Sequence, residues 1–452
     1  MFSTDLAVQV PEETTVSSGT KPAESVENTY GPLVARVALA LAIAVAPVAS
    51  QAPPATQAPA AALCATAPAA APAGVTHVPI EVSNNHVYVK VCAPSSVASA
   101  KEARPLDFLL DTGAGASFFD LATAKSLGAE LGQSFTARGA GAGTVAGAQL
   151  RKIPITLAGT TVSVPVANAI DFSGLTPREG RVVEGVLGYD FLARFVVSID
   201  YAAGELRLHD RTTFRDDRAT SIPITFVDNH PHVEAEIRLA DGEAVRGRFI
   251  VDVGSSLALS LAKPFVEQHQ LRTRVGKTVR RPGGVGVGGP ADADYGRVPL
   301  LRIGGVELGD VVTLMFGDNA GVFSGTESWG GNIGSDILRR FVVTFDYQGR
   351  RMLLSPHAQT AEPFESDMSG ANFVGNADLT QILVDFVVPG SAAADAGLRK
   401  GDVVIAVDGQ PIRSRSLLDL RQRLRREGER VTFSIRRDAS IVPVTVTTRR
   451  II

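Results

Sequence analysis

Two short stretches of this chain carry the same chemistry: Phe108-Leu109-Leu110-Asp111-Thr112-Gly113 and Phe249-Ile250-Val251-Asp252-Val253-Gly254. In each, an apolar strand runs directly into an aspartate and then a glycine. A carboxylate at the end of a buried strand is costly unless it is paired or hydrogen-bonded. Finding the arrangement twice suggests two carboxylates brought together, where they cannot both ionise easily and share one proton.

The elements that must position the two aspartates come from an internal repeat. His86-Val87 returns as His232-Val233, a shift of 146 residues, and Gly188-Tyr189-Asp190-Phe191-Leu192 returns as Gly334-Ser335-Asp336-Ile337-Leu338 at the same shift. Ser198-Ile199-Asp200-Tyr201 returns as Thr344-Phe345-Asp346-Tyr347, again at 146. The aspartates themselves are 141 apart, because the first copy carries a longer turn between Cys92 and Asp107. One shift held through several landmarks reads as a duplicated domain. Within each copy, short alternating segments between glycine-rich turns predict β-strands, at 77–91, 108–110, 153–164 and 195–201 in the first. A short helix is expected over 190–195, with its counterpart at 336–341. The glycine-rich stretches 138–147 and 282–289 lack the Gly-Lys-Ser/Thr of a phosphate loop. They read as mobile hairpin tips.

Taken in order, these motifs resemble the retropepsin-like aspartic proteases. The resemblance rests on the aspartate loops, the two glycine-rich hairpins as flaps, and the supporting elements Val186-Leu187-Gly188 and Asn332-Ile333-Gly334, over about residues 76–357. It implies a mostly β fold: two acid-protease β-barrel lobes, 76–210 and 218–357, forming a pseudo-dimer within one chain. It also implies Asp111 and Asp252 as catalytic residues, with Thr112, Gly113, Gly254 and Ser255 supporting their loops. The ionised aspartate would take a proton from water, which attacks the peptide carbonyl polarised by the protonated one. No metal, cofactor or covalent intermediate is required. The second loop departs from the pattern: Val253 replaces the threonine whose hydroxyl ties the loops together, a loss of about 1 kcal/mol. Ser255 could hydrogen-bond the neighbouring carboxylate, whereas Ala114 in the first loop cannot. His230-Pro231-His232 reads as a turn opening a strand, because no further ligands stand at metal spacing. No Gly-x-Ser-x-Gly elbow is present.

The pattern changes after about residue 365. A strand at 381–387, the series Pro389-Gly390-Ser391-Ala392 through Ala396-Gly397-Leu398, and Lys400-Gly401-Asp402 leading to Asp408-Gly409 resemble a PDZ domain of the bacterial arrangement, α+β, over 365–450. Such a domain implies an extended peptide as partner, held by strand addition with its terminal carboxylate in backbone amides. The groove is expected between the 381–387 strand and a helix over 416–426, with the carboxylate loop around 370–373.

The chain as a whole has 452 residues, 45% hydrophobic and 20% charged, with a net charge of −3, enough for several cores and without the basic face of a nucleic-acid binder. The arginines between 413 and 437 are interspersed with acids and read as a solvated face. Residues 1–75 are expected to lack a core. Within them, Arg36 and the apolar run 37–45, inside 34–52, read as an export signal, with a retained membrane anchor as the alternative. The polar stretch ahead of that run suggests translation starting near Val34. Cys64 follows Leu63, too large for a lipoprotein site. Export would permit Cys64 and Cys92 to pair, and the sequence leaves pairing open. The expected function is an exported, periplasmic or secreted aspartic endopeptidase acting on peptides or unfolded proteins. Its alternatives are a catalytically silent peptide-binding scaffold using the PDZ groove, and a site made by the Asp111 loops of two chains.

Overall fold

The computed structural model describes Cys64 and residues 74–94, 104–325, 329–413 and 416–452. The expected export signal at 34–52 lies outside the described residues. Within them, no helix is long and apolar enough to cross a membrane.

The chain is mostly β, as expected. The first lobe contains β1 (Val75–Ser83), β2 (His86–Ala93), β3 (Arg104–Leu110), β4 (Phe118–Asp120), β5 (Leu131–Arg138), β6 (Thr144–Leu157), β7 (Ser163–Ile170), β8 (Gly185–Leu187), β9 (Val196–Asp200) and β10 (Glu205–His209). The second contains β11 (Thr220–Pro223), β12 (Thr225–Val227), β13 (His230–Arg238), β14 (Ala244–Asp252), β15 (Leu259–Leu261), β16 (Val279–Gly286), β17 (Gly289–Ile303), β18 (Val306–Phe316), β19 (Gly331–Gly334), β20 (Phe341–Asp346) and β21 (Arg351–Pro356). Strand order in the first lobe is β1-β2-β3-β8-β4-β7-β6-β5, and in the second β12-β13-β14-β19-β15-β18-β17-β16. Extra pairings β2–β6 and β13–β17 close each sheet on itself. Each order maps onto the other strand for strand.

Local sequence explains the matching corners. The β1–β2 turn is Asn84-Asn85 and the β12–β13 turn is Asp228-Asn229, all four at positive φ. Two consecutive left-handed residues make the hairpin turn that suits twisted strands, and Asn and Asp tolerate it best. Alternation places the core: Leu206 and Leu208 of β10 are buried between more exposed neighbours. Phe108 and Phe119 meet edge to face at 5.2 Å, as Phe249 and Phe265 do at 5.6 Å. Removing any one of these rings would cost about 3–5 kcal/mol.

The lobes join through the sheet β11-β21-β20-β9-β10-β1. Strands β9 and β20 pair antiparallel, with Ser198 opposite Thr344 and their hydroxyls 2.7 Å apart. Those two residues are equivalents at the 146-residue shift, so the pseudo-two-fold axis passes between them.

The C-terminal region forms β22 (Ala371–Gly375), β23 (Ile382–Val387), β24 (Val403–Val407), β25 (Gln410–Pro411), β26 (Arg430–Arg437) and β27 (Ser440–Thr447), with the helix Ser416–Arg423. Its core is separate, with the Phe373 and Phe433 rings stacked at 5.4 Å. The groove differs from the sequence expectation. Strand β23 lies between β22 and β24, so both its edges are taken and it cannot add a peptide strand. The edge strand is β22, and Arg421 of the helix donates to the Phe373 carbonyl on it at 2.9 Å. Before β22, the amides of Ser369 and Gly370 donate to Asp367 Oδ1 and that of Ala371 to Ser369 Oγ. The Gly370 and Ala371 amides of the loop expected to hold a terminal carboxylate are thus already engaged. The first lobe's short helix Thr176–Glu179 lies against this groove: Arg421 also donates to the Arg178 carbonyl, and Arg178 pairs with Asp385 at 3.4 Å.

Candidate active site

Each aspartate ends the central strand of its lobe. Strand β3 runs parallel to β8, and β14 parallel to β19, with Asp252 in register with Gly334. The Asp111 amide donates to the Leu187 carbonyl at 3.0 Å, which fixes where the first carboxylate leaves the sheet. Gly113 N–H donates to Asp111 Oδ1 at 2.7 Å and Gly254 N–H to Asp252 Oδ1 at 2.9 Å. Glycine is required here by space. A Cβ on Gly113 would stand 2.7 Å from the Asp252 carboxyl carbon, and one on Gly254 2.2 Å from that of Asp111. Each loop's glycine thus leaves room for the other loop's carboxylate.

The structure brings Asp111 and Asp252 together, with their carboxyls hydrogen-bonded. Burial, then the negative charge of Asp111, pushes Asp252 well above the ordinary carboxylate range. Burial also raises Asp111, but the bond from Asp252, the Gly113 amide and the positive field of His86 and His230 oppose it. Both carboxyls are thus pushed upward, Asp252 further than Asp111. Values belong to the pair, which loses its two protons in separate steps.

Supporting bonds tie the loops across the axis. Thr112 Oγ1 donates to the Val251 carbonyl at 2.6 Å and accepts from Val253 N–H at 3.0 Å. Val253, fully buried, returns nothing of the kind. Its carbonyl instead accepts from Ser335 Oγ at 2.9 Å, and the Tyr201 hydroxyl lies 3.2 Å from that oxygen. The Ser255 amide donates to the Asp252 main-chain carbonyl at 3.2 Å, and the Ser255 carbonyl accepts from the Ser335 amide at 2.7 Å. The hairpin turns also cross over: Asn85 Nδ2 donates to the Ser256 carbonyl and Asn229 Nδ2 to that of Gly115.

Above the pair, the two glycine-rich hairpins β5–β6 and β16–β17 meet tip to tip. Gly141 N–H donates to the Val287 carbonyl at 3.0 Å and Gly143 N–H to that of Gly288 at 2.7 Å. A Cβ on Gly141 would lie 2.3 Å from the Gly289 amide, so a side chain there would part the tips. Beneath them lies a cleft of about 980 Å³ holding both aspartates, with Phe118 and Phe172 on one side and Phe316 and Trp329 on the other.

Sequence reasoning missed three residues here. Asn332 of β19 donates its amide to Asp252 Oδ2 at 2.5 Å; its first-lobe counterpart is Val186. The tripeptide Asn332-Ile333-Gly334 was visible, and the polar residue in an apolar position was the signal. His86 lies beside the pair, held by Glu179 at 2.8 Å. The repeat marked His86, while nothing in the sequence pointed to Glu179.

Comparison with known proteins agrees with parts of this picture. Residues 97–191 match a family model described as aspartyl protease, and residues 384–437 one described as PDZ domain. Serine protease HTRA1 of Xenopus tropicalis is 27% identical over 228 residues, 45% of this chain and 44% of that protein. The Xenopus laevis protein of the same name is 26% identical over 227 residues, with the same shares. The chain thus spans less than half the length of these curated relatives. Among solved structures, aspartic proteinase from Irpex lacteus aligns with a TM-score of 0.43 at 15% identity, covering 64% of this chain and 99% of that one. The chain carries an aspartyl-protease-type region and, at its C-terminus, a PDZ domain.

Proposed function

We propose that this chain is an aspartic endopeptidase whose catalytic residues are Asp111 and Asp252, both from one polypeptide. The observation that carries the reading is the hydrogen-bonded pair of carboxyls at the meeting of two glycine loops, under paired flaps. Ionised Asp111 takes a proton from a water molecule as that water attacks the peptide carbonyl. Protonated Asp252 donates to the carbonyl oxygen, and the tetrahedral species then collapses as its nitrogen receives a proton and leaves. Gly113 and Gly254 leave room for this exchange, and Thr112 and Ser255 hold the loops.

The shared strand order of the lobes and the constant shift of 146 residues support a tandem duplication. The disulfide between Cys64 and Cys92 supports export to an oxidising compartment, periplasmic or extracellular, with the N-terminal segment either cleaved or kept as an anchor. The PDZ domain serves peptide recognition or regulation. Its engaged loop amides favour an internal extended segment over a free C-terminus as the bound partner.

The test is cleavage of an unfolded protein such as casein by the purified chain across a range of pH, with and without pepstatin. Asp111→Asn abolishes cleavage on this reading; full activity in that variant sinks it.

A further inference from the structure

Beside the aspartate pair the first lobe buries an ion pair that the proposed chemistry does not use. His86 Nδ1 lies 2.8 Å from Glu179 Oε2, with the two side chains 6% and 13% exposed. Burying both charges is costly, so each must be well partnered. Glu179 also accepts from the Tyr88 hydroxyl at 3.4 Å, and Arg421 of the PDZ helix adds a positive charge facing it. The Arg181 guanidinium, paired with Asp107, stacks 3.8 Å over the Tyr88 ring. His86 also bonds the Gly254 backbone and lines the same cleft as Asp111, whose charge acts on it. The ring is held by one carboxylate and acted on by the charge of another.

The second lobe repeats the residue without the charge. His232 Nδ1 lies 2.9 Å from the His230 carbonyl oxygen, and among the described residues no carboxylate is hydrogen-bonded to it as Glu179 is to His86. Burial, opposed by that carbonyl and aided by Arg248, pushes His232 down. For His86, burial also works against the cation, but the charge and hydrogen bond of Glu179 outweigh it and the net direction is upward. The two equivalent histidines are thus pushed in opposite directions, His86 toward the cation and His232 toward the neutral ring.

We propose that His86, held by Glu179, is a positioning residue for the aspartate pair: its imidazolium places the negative charge on Asp111 and so leaves the shared proton on Asp252. This deepens the dyad reading and rests on it. The two carboxyls are related by an approximate two-fold axis, so their backbone surroundings alone do not choose which ionises. A cation on one side chooses, because opposite charge favours the ionised form of the nearer acid. His230 adds its field at Asp111 in the same sense. General base and general acid then have fixed places before substrate arrives.

The test reads carboxyl titration and catalysis separately, on the full chain. Aspartate labelled with carbon-13 at the carboxyl, assigned through Asp111→Asn and Asp252→Asn, follows both groups by NMR in the absence of substrate. In His86→Gln the Asp111 titration moves toward higher pH, Glu179→Gln moves it less, and His86→Lys restores it. The acid limb of kcat/KM follows: about a tenfold loss on the acid side, recovered toward neutral pH. KM changes by no more than about twofold. An Asp111 titration unmoved in folded His86→Gln overturns the proposal, as does a loss of activity equal at every pH. Should His86→Gln fail to fold, Glu179→Gln decides by the same titration. A chain that titrates as described but cleaves nothing refutes the protease reading and leaves the charge placement standing.

Discussion

The first aspartate loop reaches across the axis through a threonine hydroxyl, and the second has no equivalent side chain to reach back. Thr112 reaches across the axis with its hydroxyl and takes both a carbonyl and an amide of the second loop. Val253 cannot return the gesture; Ser335 Oγ donates to its carbonyl instead, with the Tyr201 hydroxyl 3.2 Å from that Oγ. The first lobe has Tyr189 where the second has Ser335, and Val186 where the second has Asn332. Tyr189 stacks on Tyr347 at 5.7 Å, and the Tyr347 hydroxyl is buried without a hydrogen-bond partner. A near-symmetric backbone thus carries two different polar supports. Carboxyl position is set by strand order, which the lobes share, while the polar support of each carboxyl is set by side chains, which they do not. The loss of the second threonine does not by itself argue for a silent scaffold, because the loop it would have tied is held from behind.

This contrast can be broken at Thr112 first. Thr112→Val leaves the Val251 carbonyl and the Val253 amide buried and unpaired, costing about 3 kcal/mol in urea unfolding. A loss below about 0.5 kcal/mol would mean the cross-axis bonds are dispensable and the loops equivalent.

The ion pair beside the site gives a pH signature confined to the first lobe. Glu179 is lowered from 4.5, burial being outweighed by His86 and Arg421, so its stabilisation is present above that value and lost as pH falls. His86 is raised from 6.5, so its share is present below that value and lost as pH rises through its folded pKa. The combined contribution is therefore largest between 4.5 and 6.5. Melting temperatures of wild type and Glu179→Gln should diverge most in that window. Curves parallel at all pH would remove the pair from the account.

Asn332→Val makes the second lobe resemble the first. It removes the amide donor on Asp252 together with the buried, unpartnered Asn332 Oδ1, so stability changes by no more than about 1 kcal/mol. An N–H donor favours the carboxylate form, so its loss moves the alkaline limb of activity to higher pH. Movement toward lower pH would contradict the assigned bond. Val253→Thr is the smallest change, a gain of about 1 kcal/mol if the lost hydroxyl can still find its partners. Destabilisation on denaturant titration would show that Ser335 has taken over for good.

Much of this was legible because repeats expose what a single motif hides. The constant shift of 146 residues relates the two Gly188 and Gly334 elements and the strands after them, and the two aspartate loops stand 141 apart within the same repeat. Strand alternation and the Asn84-Asn85 and Asp228-Asn229 turns are local signals of the same kind. What stayed hidden depends on distance in the chain. Glu179 lies 93 residues from His86 and belongs to no motif, so only folding joins them. Ala371-Asn372-Phe373-Val374-Gly375 has weak strand propensity, and the apolar 381–387 run drew the groove one strand too far in. Cys64 and Cys92, left open by sequence, are bonded in the fold with their Cα atoms 5.7 Å apart.

The central claim is that one chain supplies both carboxyls of the site. Its most direct test is the activity of Asp252→Asn on casein at the pH optimum of the wild type, over a range of enzyme concentrations. The account predicts a fall of about a thousandfold or more at every concentration. Activity retained in this variant would contradict it, and would point to a site built from the Asp111 loops of two chains.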